Sequence, residues 1–292
     1  MNKQFNKGIL LTSLGSFWWG FIGVLYFEYV SFIGHVELVV HRCLWTAVML
    51  IITTSYFSKW KIFFIIFKKK KTLIALFFSG LLIFINWAVW IYAVATDRII
   101  DASFGYFIMP IISVLLGRIF FNETLNQKRI FSIVLVFISI LILLFFNLKS
   151  LPWVGLIVAL SWAFYNLIRK KIYIDTDIGL LIESLYILPF ALITFYFIVQ
   201  NGLNDFSISK PGLSLFLILA GPMTVIPLFL YVRGVELIGL GPTGMVFYIT
   251  PTLQFILGYF YYNEEFSLIK FLSFIIIWIA VIIYLKDLYE TN

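Results

Sequence analysis

Cysteine and histidine are almost missing from this chain: Cys43 stands alone, and His35 and His41 are the only histidines. One thiol cannot build a disulfide framework, and no Cys/His spacing suits a metal ion, so no metal and no cofactor is expected. Charge is scarce too. Asp, Glu, Lys and Arg make up 12% of the 292 residues, about half the share of a soluble domain. No GxxxxGK[ST] string is present, which argues against ATP hydrolysis by this chain. No GxxxG pair occurs either, so helix dimerisation has no support from that motif and a monomer or weak homodimer is expected. The alternating ten-residue segments of a membrane barrel are lacking as well.

Long apolar runs fill the space these absences leave. Hydrophobic residues reach 62%, aromatics 20% and mean hydropathy +1.04, values of an integral membrane protein. A helical span needs about 20 apolar residues. Spans are expected near 7–30, 36–57, 72–94, 101–121, 128–147, 152–170, 178–199, 212–235, 241–262 and 268–285, ten in all, giving an all-α polytopic fold. Breaks fall at Ser31 to Gly34, Thr96 to Asp101, Asn201 to Asp205 and Asn263 to Glu265. The first run exceeds a signal-peptide core and lacks a small-x-small cleavage site, so it is expected to stay as helix one.

Lys and Arg orient the chain. With the N-terminus inside, 16 of the 21 fall at cytoplasmic ends, among them Lys68 to Lys71, Arg129 and Arg169 to Lys171, and only Arg98, Lys149, Lys210 and Lys270 fall outside. Both termini are then cytoplasmic, in the cell (plasma or inner) membrane. The net charge of +7 reflects this topology, and no nucleic-acid partner is expected. Lys59 to Lys71 interleaves Trp60, Phe63, Phe64 and Phe67; it reads either as a segment lying on anionic headgroups or as an ordinary positive-inside loop.

One segment occurs twice. YFIMPIISVLLGRIFFNETL (Tyr106 to Leu125) returns 141 residues later as FYITPTLQFILGYFYYNEEF (Phe247 to Phe266), matching Pro110 to Pro251, Gly117 to Gly258 and Asn122-Glu123 to Asn263-Glu264. Five crossings separate the copies, an odd number, so they are expected to be inverted: two five-helix repeats, 1–147 and 148–292. Ser103, Tyr106, Pro110, Ser113 and Gly117 share one helix face, as do Gly244, Phe247, Pro251, Gln254 and Gly258. That face serves close packing through small residues, lining of a pathway beside carbonyls freed by the prolines, or both.

Polar groups inside spans are the functional candidates, because a charge at the bilayer centre costs about 2.5 to 3.5 kcal/mol even on the lenient scale. Glu37, His41 and Trp45 form an i, i+4, i+8 stripe with Arg42 beside it. Arg42 either grips a carboxylate or phosphate or neutralises Glu37 or Glu183. Glu183 is either a buried acid paired with a neighbouring helix or a site for a substrate cation or coupling proton. His41 is a titratable group or a hydrogen-bonding fixture. Asn86, Trp90, Ala93 and Asp97 share a face beside Trp87, and with Tyr106 and Tyr248 could form an aromatic chamber. Gln254, opposite Ser113 in the repeat, breaks its symmetry. Arg233 and Glu236 are expected to form a surface ion pair.

Several strings carry a resemblance: HRCLW at His41, NWAVW at Asn86, DASFGYFIMP at Asp101, FYNLIRK at Phe164, GLLIESLYILP at Gly179 and FYITPTL at Phe247. Together they resemble the RarD group in the EamA branch of the drug/metabolite transporter superfamily over nearly the whole chain. The resemblance implies ten helices, inverted five-helix halves and movement of a small metabolite. Asn122 and Asn263 stand where the family often has Gly, Phe247 where it has a polar residue and Arg233 where it has a small one, so a different substrate preference is expected. The function expected is secondary transport of a small organic solute, amino-acid-like, amine or drug-like, with a coupling proton or other ion. The alternatives are a membrane-embedded enzyme and a non-transporting sensor or channel.

Overall fold

Inside lipid a backbone N–H or C=O finds no water, so an apolar run satisfies its own hydrogen bonds as a helix. A computed structural model describes residues 3–95, 99–147, 153–172, 174–261 and 268–291, and all regular structure among them is helical. The helices are α1 (Lys3–Phe17), α2 (Gly23–Tyr29), α3 (His35–Tyr56), α4 (Trp60–Phe67), α5 (Lys70–Ala95), α6 (Ile99–Phe121), α7 (Gln127–Asn147), α8 (Trp153–Lys171), α9 (Thr176–Gln200), α10 (Pro211–Ile238), α11 (Leu240–Val246), α12 (Ile249–Phe260) and α13 (Leu268–Thr291). Thr96 to Arg98 and Asn263 to Glu265, expected as breaks, lie outside the described residues, as do the side chains of Asp101 and Ser103.

Seven helical stretches among the described residues are long and apolar enough to cross a membrane: 3–29, 35–56, 70–93, 127–146, 176–200, 211–238 and 271–291. Of α6, the part whose side chains are described, Gly105–Phe121, is an apolar helix. The other two expected spans differ for physical reasons. Helix α8 buries Ser161, Asn166 and Arg169 and so has a polar stripe facing protein. The expected span 241–262 is broken at Phe247 and Tyr248, between α11 and α12.

That break alters the reading of the second proline. Pro110 lies inside α6, whereas Pro251 sits in the first turn of α12, where a missing N–H removes no helix bond. The Phe247 carbonyl accepts from Thr250 N at 2.9 Å instead. The first span is interrupted too, by a π-helical turn at Trp18–Ile22 between α1 and α2. Such a turn carries an extra residue and re-aims the side chains around it.

The most extensive packings all join a helix before residue 147 to one after residue 153: α1 with α10, α6 with α8, α7 with α13, α3 with α10 and α9, α5 with α8. Small residues permit the approach. A Cβ added at Gly105 would lie 2.5 Å from the Gly155 carbonyl oxygen, and one at Gly221 would lie 2.5 Å from that of Trp45. The two parts of the chain therefore share one core, in which Leu181, Tyr231 and Val232 of the second pack with Leu50, Leu76 and Met109 of the first.

The lysine-rich segment contains the eight-residue α4, which buries Phe63 and Ile66 and exposes Phe64 and Phe67. At its N-terminal end Lys59 reaches Asp177 at 2.6 Å and Asp175 at 3.5 Å. Burial there lowers its pKa, but the hydrogen bond and charge of Asp177, joined by Asp175, outweigh it and hold the ammonium above the usual lysine value.

Candidate functional site

Between the helices lies a cavity lined by residues from both parts of the chain. The π-helical turn and α2 supply Trp19 and Phe27, α3 supplies Arg42, α5 supplies Asn86, Trp87 and Trp90, and α6 supplies Tyr106. From the other side come Trp162 of α8, Phe247 at the helix break, and Thr250 and Gln254 of α12. The π-helical turn reaches α12 because Gly20 lies flat against it: an added Cβ would be 2.8 Å from the Thr250 carbonyl oxygen.

The walls are aromatic and mutually braced. Trp19 meets Trp162 edge-on at 5.1 Å and Phe247 at 6.2 Å, Tyr106 meets Phe247 at 5.8 Å, and Phe27 meets Trp90 at 5.4 Å. Such contacts fix ring orientation and add to the area they bury.

Arg42 is the one charged side chain among the described residues lining this space. Its guanidinium carbon sits 4.5 Å from the Trp87 ring centroid and 5.2 Å from that of Phe27, and Nε donates to Thr224 Oγ1 at 3.0 Å. No acid pairs with it among the described residues, so neither Glu37 nor Glu183 neutralises it. Asn86 donates from Nδ2 to the Val158 carbonyl at 2.9 Å and to Ser161 Oγ at 3.1 Å, which fixes its amide plane.

Five residues singled out in the sequence thus meet here: Arg42, Asn86, Trp90, Tyr106 and Gln254. Four others do not. His41, on a different face of α3 from Arg42, accepts at Nδ1 from Trp45 Nε1 at 3.1 Å and approaches Glu37 through Nε2 at 3.4 Å. Glu37 in turn accepts from the backbone N–H groups of Asp205 and Phe206 at 2.8 to 2.9 Å. This stripe ties α3 to the loop before α10. Tyr248 is no wall of a chamber; it is buried and donates to the Phe107 carbonyl at 2.8 Å.

Glu183 takes the paired alternative. Ser79 Oγ donates to it at 2.5 Å, Tyr165 Oη at 3.3 Å, and Arg169 Nη1 lies 3.5 Å away. Arg169, read from sequence as a cytoplasmic cation, is fully buried and also donates to the Thr176 carbonyl at 3.1 Å. A cation at a helix end looks like a loop charge until the fold covers it.

The repeated Asn-Glu motif also gains a role in its first copy. The Glu123 carboxylate accepts from the backbone N–H groups of Leu240 and Gly241 at 2.8 and 2.9 Å and pairs with Lys170 at 2.8 Å. Gly117 leaves the room this carboxylate occupies, since a Cβ there would make the Glu123 side chain shift. Gly258 is buried on α12, and Glu264 lies outside the described residues. Trp19, Phe27 and Thr250 were not singled out from sequence; the interrupted helices that aim them have no signature beyond the Gly20 to Gly23 spacing. The Arg233–Glu236 pair forms as expected, at 2.6 Å.

The EamA-like transporter family matches the chain twice, over residues 6–145 and 150–286. The "Protein RarD" of Escherichia coli (strain K12) is 32% identical over 290 residues, 99% of this chain and 97% of that protein. The "Uncharacterized transporter YojE" of Bacillus subtilis (strain 168) is 32% identical over 286 residues, 97% and 95% of the two chains. A solved crystal structure is similar at a TM-score of 0.72 and 12% identity, covering 95% of this chain and 96% of that one, a likeness of fold alone. These names are those of transporters rather than enzymes. With the family matched on both sides of its midpoint and relatives aligned end to end, the chain belongs to the EamA-like transporter family of the drug/metabolite transporter superfamily, and it is a multi-pass membrane protein.

Proposed function

We propose that this chain is a secondary transporter that moves a small organic metabolite across the cytoplasmic membrane by alternating access. Ten crossings form two inverted five-helix halves, 1–147 and 148–292, with both termini cytoplasmic, and the solute binds between them. The observation that carries this reading is the makeup of the cavity: Arg42, Asn86, Trp90 and Tyr106 come from one half, Trp162, Phe247 and Gln254 from the other. A site at a repeat interface changes access when one half rocks against the other.

On the positive-inside orientation, Phe27, Arg42, Asn86, Trp90 and Tyr106 lie toward the outer ends of their helices, Trp162 and Phe247 lie deeper, and the Glu123 cluster joins α6, α8 and α11 at the inner end. The arrangement corresponds to an outward-directed site above a closed inner gate. Arg42, Asn86, Trp90, Tyr106 and Gln254 contact solute; His41, Trp45, Glu183 and Tyr248 hold the surrounding helices; Pro110, Gly117, Pro251 and Gly258 shape the central pair.

Reconstitution in sealed proteoliposomes and uptake from a metabolite library test this reading. Saturable accumulation that Gln254→Ala or Trp90→Ala weakens is expected. Intact protein that moves no solute under gradients of either sign would refute transport.

A further inference from the structure

Several features compete for a further role. The Arg169–Glu183 cluster pairs its own two charges. The apolar crevice between α3, α5 and α9, lined by Val36, Phe84 and Phe190, carries nothing that names an occupant. Arg42 is different: a cation, 93% buried by its 7% exposure, that lines a cavity with no acid among its described lining residues.

We infer that the solute is a small organic monoanion, a carboxylate on a flat apolar body, gripped by Arg42. The inference rests on the transport reading for the word solute, while the binding chemistry rests on the cavity. Thr224 takes Nε, and the rings of Trp87 and Phe27 cover the guanidinium carbon. Nη1 and Nη2 remain without a hydrogen bond or ion pair among the described residues. A guanidinium held this way presents a fork that matches a carboxylate in two parallel hydrogen bonds. A buried charge left alone is costly, and the missing counter-charge is what an anionic ligand brings.

Stoichiometry narrows the class. One cation compensates one negative charge, so a dianionic phosphate ester would bury a second charge without a partner. An amine would meet a like charge and no carboxylate among the described lining residues. The rest of the ligand faces Trp19, Trp90, Trp162 and Phe247, walls suited to an apolar ring. The amide oxygen of Asn86 and the amide of Gln254, which have no partner among the described residues, are left for one or two polar substituents. A zwitterion therefore binds less well than a simple carboxylate of the same body, since only neutral oxygens await its ammonium.

The test is direct binding to the full-length protein in lipid nanodiscs, read by quenching of tryptophan fluorescence. The probes share a body and differ in head group: phenylacetate, phenylacetamide, phenethylamine and, at pH 8, phenyl phosphate. Phenylacetate is expected to bind saturably, with the other three at least tenfold weaker, about 1.4 kcal/mol or more. Arg42→Gln is expected to remove the preference for phenylacetate over its amide, and Arg42→Lys to keep part of it. No saturable phenylacetate binding, equal or tighter phenethylamine binding, or an unchanged preference in folded Arg42→Gln would each overturn the inference. The wild-type series decides even if Arg42→Gln does not fold. Labelled phenylacetate in proteoliposomes separates the two readings: binding without accumulation sinks transport and leaves the anion site standing. Accumulation of some other solute without carboxylate binding does the reverse.

Discussion

Breaking the Arg169–Glu183 pair is expected to unfold much of the α5, α8 and α9 packing, and the size of the effect follows from geometry. The charges lie 3.5 Å apart with side chains 0% and 3% exposed. At an effective dielectric constant near 20 their attraction is about 5 kcal/mol. Desolvating each ion costs several kcal/mol, so the intact pair comes out near neutral. Removing one partner does not. Glu183→Gln keeps acceptors and donors for Ser79 and Tyr165 but strands a buried guanidinium, at about 3 to 5 kcal/mol. Arg169→Met is milder, about 2 to 3 kcal/mol, because Ser79 and Tyr165 still donate to Glu183. The double variant Arg169→Met/Glu183→Gln removes both charges and is expected to lose far less than the sum, with a coupling of about 2 to 3 kcal/mol. Unfolding of the four proteins in one detergent, followed by circular dichroism, measures this. Strict additivity, or Glu183→Gln as stable as wild type, would refute the structural role, and loss of proton-driven uptake in a stable Glu183→Gln would return this acid to coupling.

Glu123→Ala leaves two backbone N–H groups and Lys170 without their carboxylate. With partial exposure discounted, about 2 to 3 kcal/mol is lost at the inner gate, so hydrogen exchange at Leu240 and Gly241 should quicken roughly 30- to 150-fold; unchanged exchange would remove the gate. Gly221→Val drives a methyl-bearing carbon into the Trp45 carbonyl, which cannot turn aside, so about 2 to 3 kcal/mol of stability and the α10 support for Arg42 through Thr224 should fall together in melting and binding assays. Because the folded pKa of Lys59 is raised, its tie to Asp177 is fully present below the unfolded lysine value near 10.4 and is lost as pH rises through the folded value. Lys59→Met should therefore flatten the alkaline limb of the stability profile and leave neutral pH nearly unaffected by titration; an unaltered alkaline limb would count against the tie.

Much of the fold was legible because lipid reduces the choice to helix. Apolar length placed the runs, and turn residues such as Ser31 to Gly34 ended the first. The interruptions at Trp18–Ile22 and at Phe247-Tyr248 were not legible, because a π-helical turn and a broken span have the same apolar composition as an unbroken helix. Half of the candidate site was legible for a related reason: Arg42, Asn86 and Gln254 are polar groups in apolar runs. Trp19 and Phe27 were hidden among aromatics that make up 20% of the chain.

The amino-acid sequence by itself determined the class of molecule, its all-helical character and the short set of groups too polar for lipid. It gave Arg42, His41 and Glu183 the same standing, since each is an ionisable side chain in an apolar run. Only the tertiary structure told them apart. Glu183 meets Ser79 from 104 residues away, His41 meets Glu37 on its own helix, and Arg42 meets, among the described residues, Thr224, 182 residues away, and two rings. Whether a buried charge is satisfied depends on distances between segments remote in the chain, and that distance decides which group is left to bind something else.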